Sequence, residues 1–532
     1  MSTAPTKAPT GGVAFERPRL NARLVTALAV VAGLGLVAWS IYVRTRAFNM
    51  AYWIDEGLSI GIARHAFVDI PGVLRQDGSP PLYYMLLHFW TSIFGTDEPA
   101  THAFSLVIST LTIPAGLWAG WSLFDRRAGI TTAILCAGNP FLTAYAQETR
   151  MYSLVVLWSL LCTACFLHVF VYRRRKYIPW FALTLAALLY THMWSAFFVL
   201  GAGVSALWIV LLRRDDRSAL LRDALLGFGG AFLLYLPWLP TALYQVKHTG
   251  APWSQGPTWR AAQQIPHTLA GGWREIWITA IVAAVGIFVA WRARRREDRA
   301  AWIVLGLLAT MVVLAWTISN ASHVWVPRYF AIFVGPFLIA VGWAFARAGV
   351  IGIAGLVILG AGFQFYPHTP EKLTLKSNVR FVAEVGARRL HRGDVVLSTH
   401  PEQIPLIHYY LNAEGAHGMR YATELGWVPD VQVWDWRDGV KRLRATRAKY
   451  DLAPILDGMR VGQQLYLIRP VVSRKNEWTA PWTSLVKRRS LQWTHATERD
   501  RRFKLERIFN NFLQVGHRNG AVQGRLYVKT HR

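Results

Sequence analysis

Apolar runs of about 18 or more residues recur through the first two thirds of the chain, each long enough to cross a bilayer as an α-helix. Within lipid such a run must be helical, because only a helix satisfies every backbone N–H and C=O inside one segment. The chain therefore reads as a polytopic α-helical membrane protein. Composition agrees: of 532 residues, 53% are hydrophobic, 17% are charged and 25 are Trp. That is too apolar and too poor in charge for a soluble protein. The formal net charge of +28 would suggest nucleic acid in a soluble chain. Here the charge lies in short basic clusters between apolar runs, and no nucleic-acid recognition motif accompanies it.

The clusters carry topology instead, since basic loops stay cytoplasmic. "RPRLNAR" before the first run, "DRR" at 125–127, "RRRK" at 173–176, "RRDDR" at 213–217, "RARRRED" at 292–298 and Arg347 mark that side. The stretches left on the opposite side are 46–80, 145–152, 191–194, 245–274, 319–330 and everything after 367. The expected count is about 11 to 12 crossings. One segment resists it: "PLYYMLLHFWTSIF", 81–94, has 14 residues and either spans or lies re-entrant in the interface. The polar, basic arm 1–22 reads as disordered and cytoplasmic, and the run at 24–42 as a retained first helix. Cys136, Cys162 and Cys165 all sit in apolar runs and read as small core residues.

The membrane domain is expected over 23–366. From 367 to 470 the pattern alternates: "SNVRFVAEVGARRL" as helix, "GDVVLSTH" as buried strand, "PEQIPLIHYYL" as helix, "QQLYLIRPV" as strand. That alternation predicts a small extracytoplasmic α/β domain. Residues 471–532 hold fourteen basic side chains against four acidic, interleaved with Trp478, Trp482, Trp493, Phe503, Phe509 and Phe512. They read as a separate basic extension, lying either on an anionic membrane surface or in solvent.

The loops opposite the basic clusters hold the candidate site. "AYWIDEGLSI" places Asp55 and Glu56 beside a membrane helix, where a carboxylate is costly unless hydrated, paired or facing a cavity. "RQDGSPPLYY" contributes the turn Asp77-Gly78 and the interface aromatics Tyr83 and Tyr84. "QETRMYSL" brings Glu148, Arg150 and Tyr152 to a short turn that needs no charge. "VPRYF" holds Arg328, with His323 and Trp325 nearby, and "THMW" adds His192. An Arg at such a mouth can present a planar fork to a carboxylate or phosphate. Together these groups can hold an anionic leaving group while activating a hydroxyl.

A first-loop Asp-Glu, then "PPLYY…FW…FG…E", then "AQETRMYSL", a later His and a late "PRYF…P" resemble the GT-C superfamily of polytopic glycosyltransferases. The nearest group is the bacterial branch related to protein O-mannosyltransferases and the aminoarabinose transferase of lipid A. The resemblance covers residues 24–366; Ser79 departs from it, standing where protein O-mannosyltransferases carry a His before the paired prolines. It implies a sugar transferred from a polyprenyl-phosphate donor to a glycolipid or polysaccharide acceptor, on the extracytoplasmic side of a bacterial plasma membrane. It implies Asp55 as general base, Arg328 with Arg150 as the phosphate-binding pair, and inversion at the anomeric carbon. Glu56 either orients the acceptor or helps hold a divalent cation. Glu148, His192, His323, Tyr83, Trp53 and Tyr152 are expected to contact substrate. Arg- and Ala-rich composition points to a high-GC, mycolic-acid actinobacterium, which would make mannose or arabinofuranose the leading donor sugars. A lipid or solute transporter and a non-catalytic envelope scaffold are the competing classes. The first should carry charge pairs deep inside its helices, where few charges occur.

Overall fold

The computed structural model describes residues 22–365, 376–472, 478–510 and 520–531. The expected N-terminal arm and Phe512 lie outside them. Helix α1 (Ala22–Val43) traverses the bundle and leads to three short helices at one end: α2 (Ile54–Ala63), α3 (Ile70–Asp77) and α4 (Leu82–Phe94). Helix α5 (Glu98–Leu123) returns, and α6 (Arg126–Gly138) and α7 (Pro140–Tyr145) come back in two pieces. The break is local chemistry: Asn139 Oδ1 accepts from the Leu142 N–H at 3.1 Å and Pro140 follows, a cap and a first-turn proline. Helices α8 (Tyr152–Phe170), α9 (Ile178–Leu189), α10 (Ser195–Leu212) and α11 (Arg217–Tyr235) then run up and down. Short helices α12 (Leu239–His248) and α13 (Trp259–Ala270) precede α14 (Trp273–Ala293), α15 (Arg299–Ser322), α16 (Ala331–Arg347) and α17 (Val350–Phe365).

Among the described residues eight helices are long and apolar enough to cross a membrane, and the chain is a multi-pass membrane protein. Chain direction makes α6–α7, α9 and α17 traverse as well, giving eleven traverses among the described residues. Segment 81–94 is not one of them. The Leu82 N–H donates to Tyr190 O at 3.0 Å, and Thr96 O, just past α4, accepts from Tyr52 OH at 3.0 Å and Tyr409 OH at 2.8 Å. Both ends of α4 therefore meet the same end of the bundle. The span containing α16 and the span formed by α8 are each buried over 89% of their most apolar window, against 6% for α1. Helices apolar on every face belong in the middle, and α1 presents its side chains to lipid.

Beyond α17 lies a six-stranded sheet of order β3-β2-β1-β4-β6-β5. Its strands are β1 (Val395–Ser398), β2 (Arg420–Thr423), β3 (Gly426–Trp427), β4 (Gln464–Pro470), β5 (Phe503–Phe509) and β6 (Val522–Lys529). β1 is parallel to β2 and β4, and β6 is antiparallel to β4 and β5. Strand β1 is buried on both faces: Val396 packs with helices 379–387 and 404–413, Val395 and Leu397 with Trp493 of helix 481–499. This corrects the expected boundary at 471. β5 and β6 complete the sheet begun by β1 and β4, so among the described residues the sheet domain runs through that boundary. The aromatics of this stretch, expected either on a membrane surface or in solvent, are core instead: Trp482 and Trp493 are fully buried, and Trp478, Phe503 and Phe509 nearly so.

The sheet domain is clamped onto the bundle through α2. A Cβ at Gly57 would fall 2.7 Å from Leu406 Cβ, and one at Gly61 would fall 1.9 Å from Gln432 O. Two glycines four residues apart share a helix face, and their missing side chains let the domain backbone reach α2. His65 Nε2 meets Asp430 Oδ2 at 2.9 Å, Tyr410 OH donates to Glu98 at 2.7 Å, and Arg380 pairs with the same Glu98.

Candidate active site

Residues from four distant parts of the chain converge between α2 and the bundle end. Asp55 Oδ2 lies 3.2 Å from Arg328 Nη2 and 3.9 Å from Arg150 Nη2. Arg150 Nη1 donates to Asp55 O at 3.2 Å, Ser59 Oγ at 3.0 Å and Tyr84 OH at 3.3 Å. The Arg328 guanidinium sits 5.4 Å from the Trp53 ring centroid and 5.8 Å from that of Tyr329. The carboxylate is 18% exposed and the two guanidinium side chains 21% and 11%, so the cluster is reachable yet mostly out of water. Arg328 Nε, Arg150 Nε, Trp53 Nε1 and Glu148 Oε2 are buried and find no hydrogen-bond partner among the described residues. Buried polar atoms are almost always paired. Four orphans around one carboxylate mark a place shaped for a polar ligand.

The adjacent carboxylates of "DE" are sharply different. Glu56 is fully buried. Its Oε1 accepts from the Thr149 N–H at 2.9 Å and faces His102 Nε2 at 2.8 Å; its Oε2 lies 2.6 Å from Lys376 Nζ and accepts from the Trp53 N–H at 3.3 Å. Burial alone would raise its pKa, but the Lys376 ammonium and the His102 contact outweigh it and hold the group ionised. Successive helix residues point about 100° apart, so Asp55 looks to Arg328 and Arg150 and Glu56 into the core. Glu56, expected either to orient the acceptor or to help hold a divalent cation, sits as a strut with both oxygens engaged in the core.

Glu148 is the opposite case. Burial pushes its carboxyl up, and the neighbouring Glu56 and Asp55 charges add to that against Lys376 and Arg328, to about 7. His192 is buried, and its Nδ1 accepts from the Trp194 N–H at 3.1 Å. Burial together with Arg150 and Arg328 lowers its pKa to about 3. A neutral imidazole accepting at Nδ1 carries its proton on Nε2, a donor beside the Tyr329 ring 4.7 Å away. Tyr152 lies under Arg150, with 5.9 Å from guanidinium to ring centroid.

Two expected residues make no hydrogen bond or ion pair with Asp55, Arg150 or Arg328 among the described residues. Tyr83 is fully buried against Tyr84 and Phe104; of that pair it is Tyr84 that reaches Arg150. His323 is exposed at the C-terminus of α15, held at φ 58°, away from the Asp55 cluster. Asp77, read from sequence as a turn, is a buried carboxyl whose pKa burial raises, with Arg150 and Asp55 both close enough to act on it. Lys376 and His102 carried no motif at all.

A search of known structures finds the same architecture. ArnT from Cupriavidus metallidurans in the apo state matches with a TM-score of 0.57 at 14% identity, covering 84% of this chain and 93% of ArnT. The chain has the GT-C glycosyltransferase fold. Other GT-C proteins match as well. The arabinofuranosyltransferase AftD from mycobacteria does so at TM-score 0.55 and 13% identity, over 96% of this chain and 40% of AftD. The apo Archaeoglobus fulgidus oligosaccharyltransferase does so at 0.52 and 11%, over 90% of this chain and 73% of that one. No family model and no curated protein matches the chain.

No three His, Cys, Asp or Glu side chains gather among the described residues. Glu56, for which metal ligation is one of two expected roles, has both oxygens engaged by His102, Thr149 and Lys376.

Proposed function

We propose that the chain is a glycosyltransferase that moves a sugar from a polyprenyl-phosphate donor to a hydroxyl of a cell-envelope glycolipid or polysaccharide, at the extracytoplasmic face. The observation that carries this reading is the Asp55 carboxylate shared by Arg328 and Arg150 at the bundle end. ArnT from Cupriavidus metallidurans binds undecaprenyl phosphate and the Archaeoglobus oligosaccharyltransferase binds a dolichol-phosphate, which supports a polyprenyl phosphate as the lipid here.

The chemistry follows from the groups present. The acceptor oxygen attacks the anomeric carbon as the bond from that carbon to the phosphate oxygen breaks. The hydroxyl proton passes to Asp55 as general base. The electron pair leaves with the phosphate, and Arg328, with Arg150 in support, stabilises that charge through charge-assisted hydrogen bonds. One displacement inverts the anomeric centre. Trp53 and Tyr329 offer apolar ring faces to the sugar, and the His192 Nε2–H offers a neutral donor. Basic loops at the far end, including "RRRK" and "RARRRED", support an extracytoplasmic site.

The test is transfer by protein in nanodiscs supplied with mannosyl- or arabinofuranosyl-phosphopolyprenol and envelope glycolipid, read by mass spectrometry. Asp55→Asn should fold normally and transfer nothing. Wild-type turnover by that variant would sink the assignment of the base, and failure of the wild type to consume any lipid-linked sugar would sink the function.

A further inference from the structure

The far end of the bundle holds a second feature that sugar transfer does not use. A cavity of about 400 Å³ opens between the α5–α6 turn, the end of α14 and the α16–α17 turn. Arg126, Arg127, Arg295 and Arg347 line it, with Asp125 as the acidic member of its lining. That acid is spent: Asp125 caps α6 by accepting from the Ala128 N–H at 2.9 Å and pairs with Arg347 Nη1. Arg347 is the floor. Its side chain is only 6% exposed, Nε donates to Asp298 Oδ1 at 2.9 Å, and Nη2 is buried with no partner among the described residues.

One wall of the cavity is different in kind. Val289, Ala290 and Ala293 of α14 and Ala346 of α16 line it. Val289 is 41% exposed and its neighbour Phe288 54%, on a helix whose most apolar window is mostly unburied. The pocket thus joins one unpartnered buried Nη2 and three exposed guanidinium groups to a lipid-facing apolar surface. A free anion uses only the first half, whereas an anionic phospholipid uses both. Arg328 and Arg347 sit near opposite ends of one span, roughly 28 Å apart at 1.5 Å per residue, so the cavity does not contact the transfer site.

We propose that this cavity binds the phosphate headgroup of an anionic membrane phospholipid, with Arg347 Nη2 and the Arg126, Arg127 and Arg295 guanidinium groups on the phosphate and the α14 wall against the acyl chain.

Full-length protein is reconstituted in nanodiscs of phosphatidylcholine alone or with phosphatidylglycerol, and unfolding temperature and bound lipid are measured by thermal scan and native mass spectrometry. Wild type should gain several degrees with phosphatidylglycerol and retain that lipid on ejection. R126A/R127A, both exposed positions, should lose at least half of the gain and the retained lipid. R214A/R217A removes two exposed charges at the same end outside the cavity, and should keep both. The proposal is overturned if R126A/R127A behaves as wild type, if the control variant loses as much, or if millimolar inorganic phosphate in phosphatidylcholine discs gives the same gain.

Discussion

Lys376 Nζ stands 2.6 Å from Glu56 Oε2, so the segment leading into the sheet domain neutralises the carboxylate next to Asp55. Both side chains are nearly or fully buried. Removing one partner of such a pair leaves an uncompensated charge in a low dielectric, at a cost of about 3–5 kcal/mol. Lys376→Met should therefore lower the unfolding temperature sharply, and Glu56→Gln should do the same. A thermal scan of either variant that matches wild type would remove the strut role.

Asp55 behaves differently because it is partly exposed and its neighbours are cations that a ligand can take over. Asp55→Asn should leave unfolding within experimental error of wild type while transfer falls by at least about 10²-fold. The contrast between the two adjacent positions, one costing stability and the other only turnover, is the measurement that separates their roles.

Arg328→Lys keeps the charge but loses the fork and the flat face over Trp53. It should retain measurable transfer with a raised KM for the lipid donor, whereas Arg328→Ala should lose about 10²–10³-fold in kcat. Equal loss in both variants would argue that geometry rather than charge is all that matters there.

Glu148 supplies a pH test. Its folded pKa is raised to about 7, so the neutral form is favoured by folding. That contribution is fully present below the ordinary carboxylate pKa and is lost as pH rises through about 7. Glu148→Gln should match wild type in unfolding temperature at acidic pH and exceed it at alkaline pH. A variant less stable than wild type at alkaline pH would show that the carboxylate, not the acid, is the native form.

Gly61→Ala would place a methyl 1.9 Å from Gln432 O. The obstacle is backbone, so the domain must shift off α2, at about 1–3 kcal/mol, and limited proteolysis should cut between bundle and sheet domain faster than in wild type. Unchanged proteolysis and stability would mean that α2 is not the clamp.

The membrane class, the basic end of the bundle and the loops that carry Asp55, Arg150 and Arg328 were legible along the chain, because bilayer thickness and the siting of basic loops act on contiguous residues. The β1 strand was legible for the same reason: a short apolar run bounded by turns. Other features depend on neighbours hundreds of residues away. Nothing in "IDEG" says which carboxylate faces Arg328 and Arg150; helix rotation against His102, Thr149 and Lys376 settles that. Tyr83 and Tyr84 are equivalent in sequence, and only the angle of α4 gives Arg150 to the second. The tail from 471 reads as basic and amphipathic, yet packing of helix 481–499 places Trp493 against Val395 and Leu397 of β1, and Trp478 and Trp482 cluster with Trp434 and Trp436. Local pattern reports what a segment must avoid, such as exposed backbone in lipid. Which charged group meets which depends on contacts that exist only once the distant segments have packed.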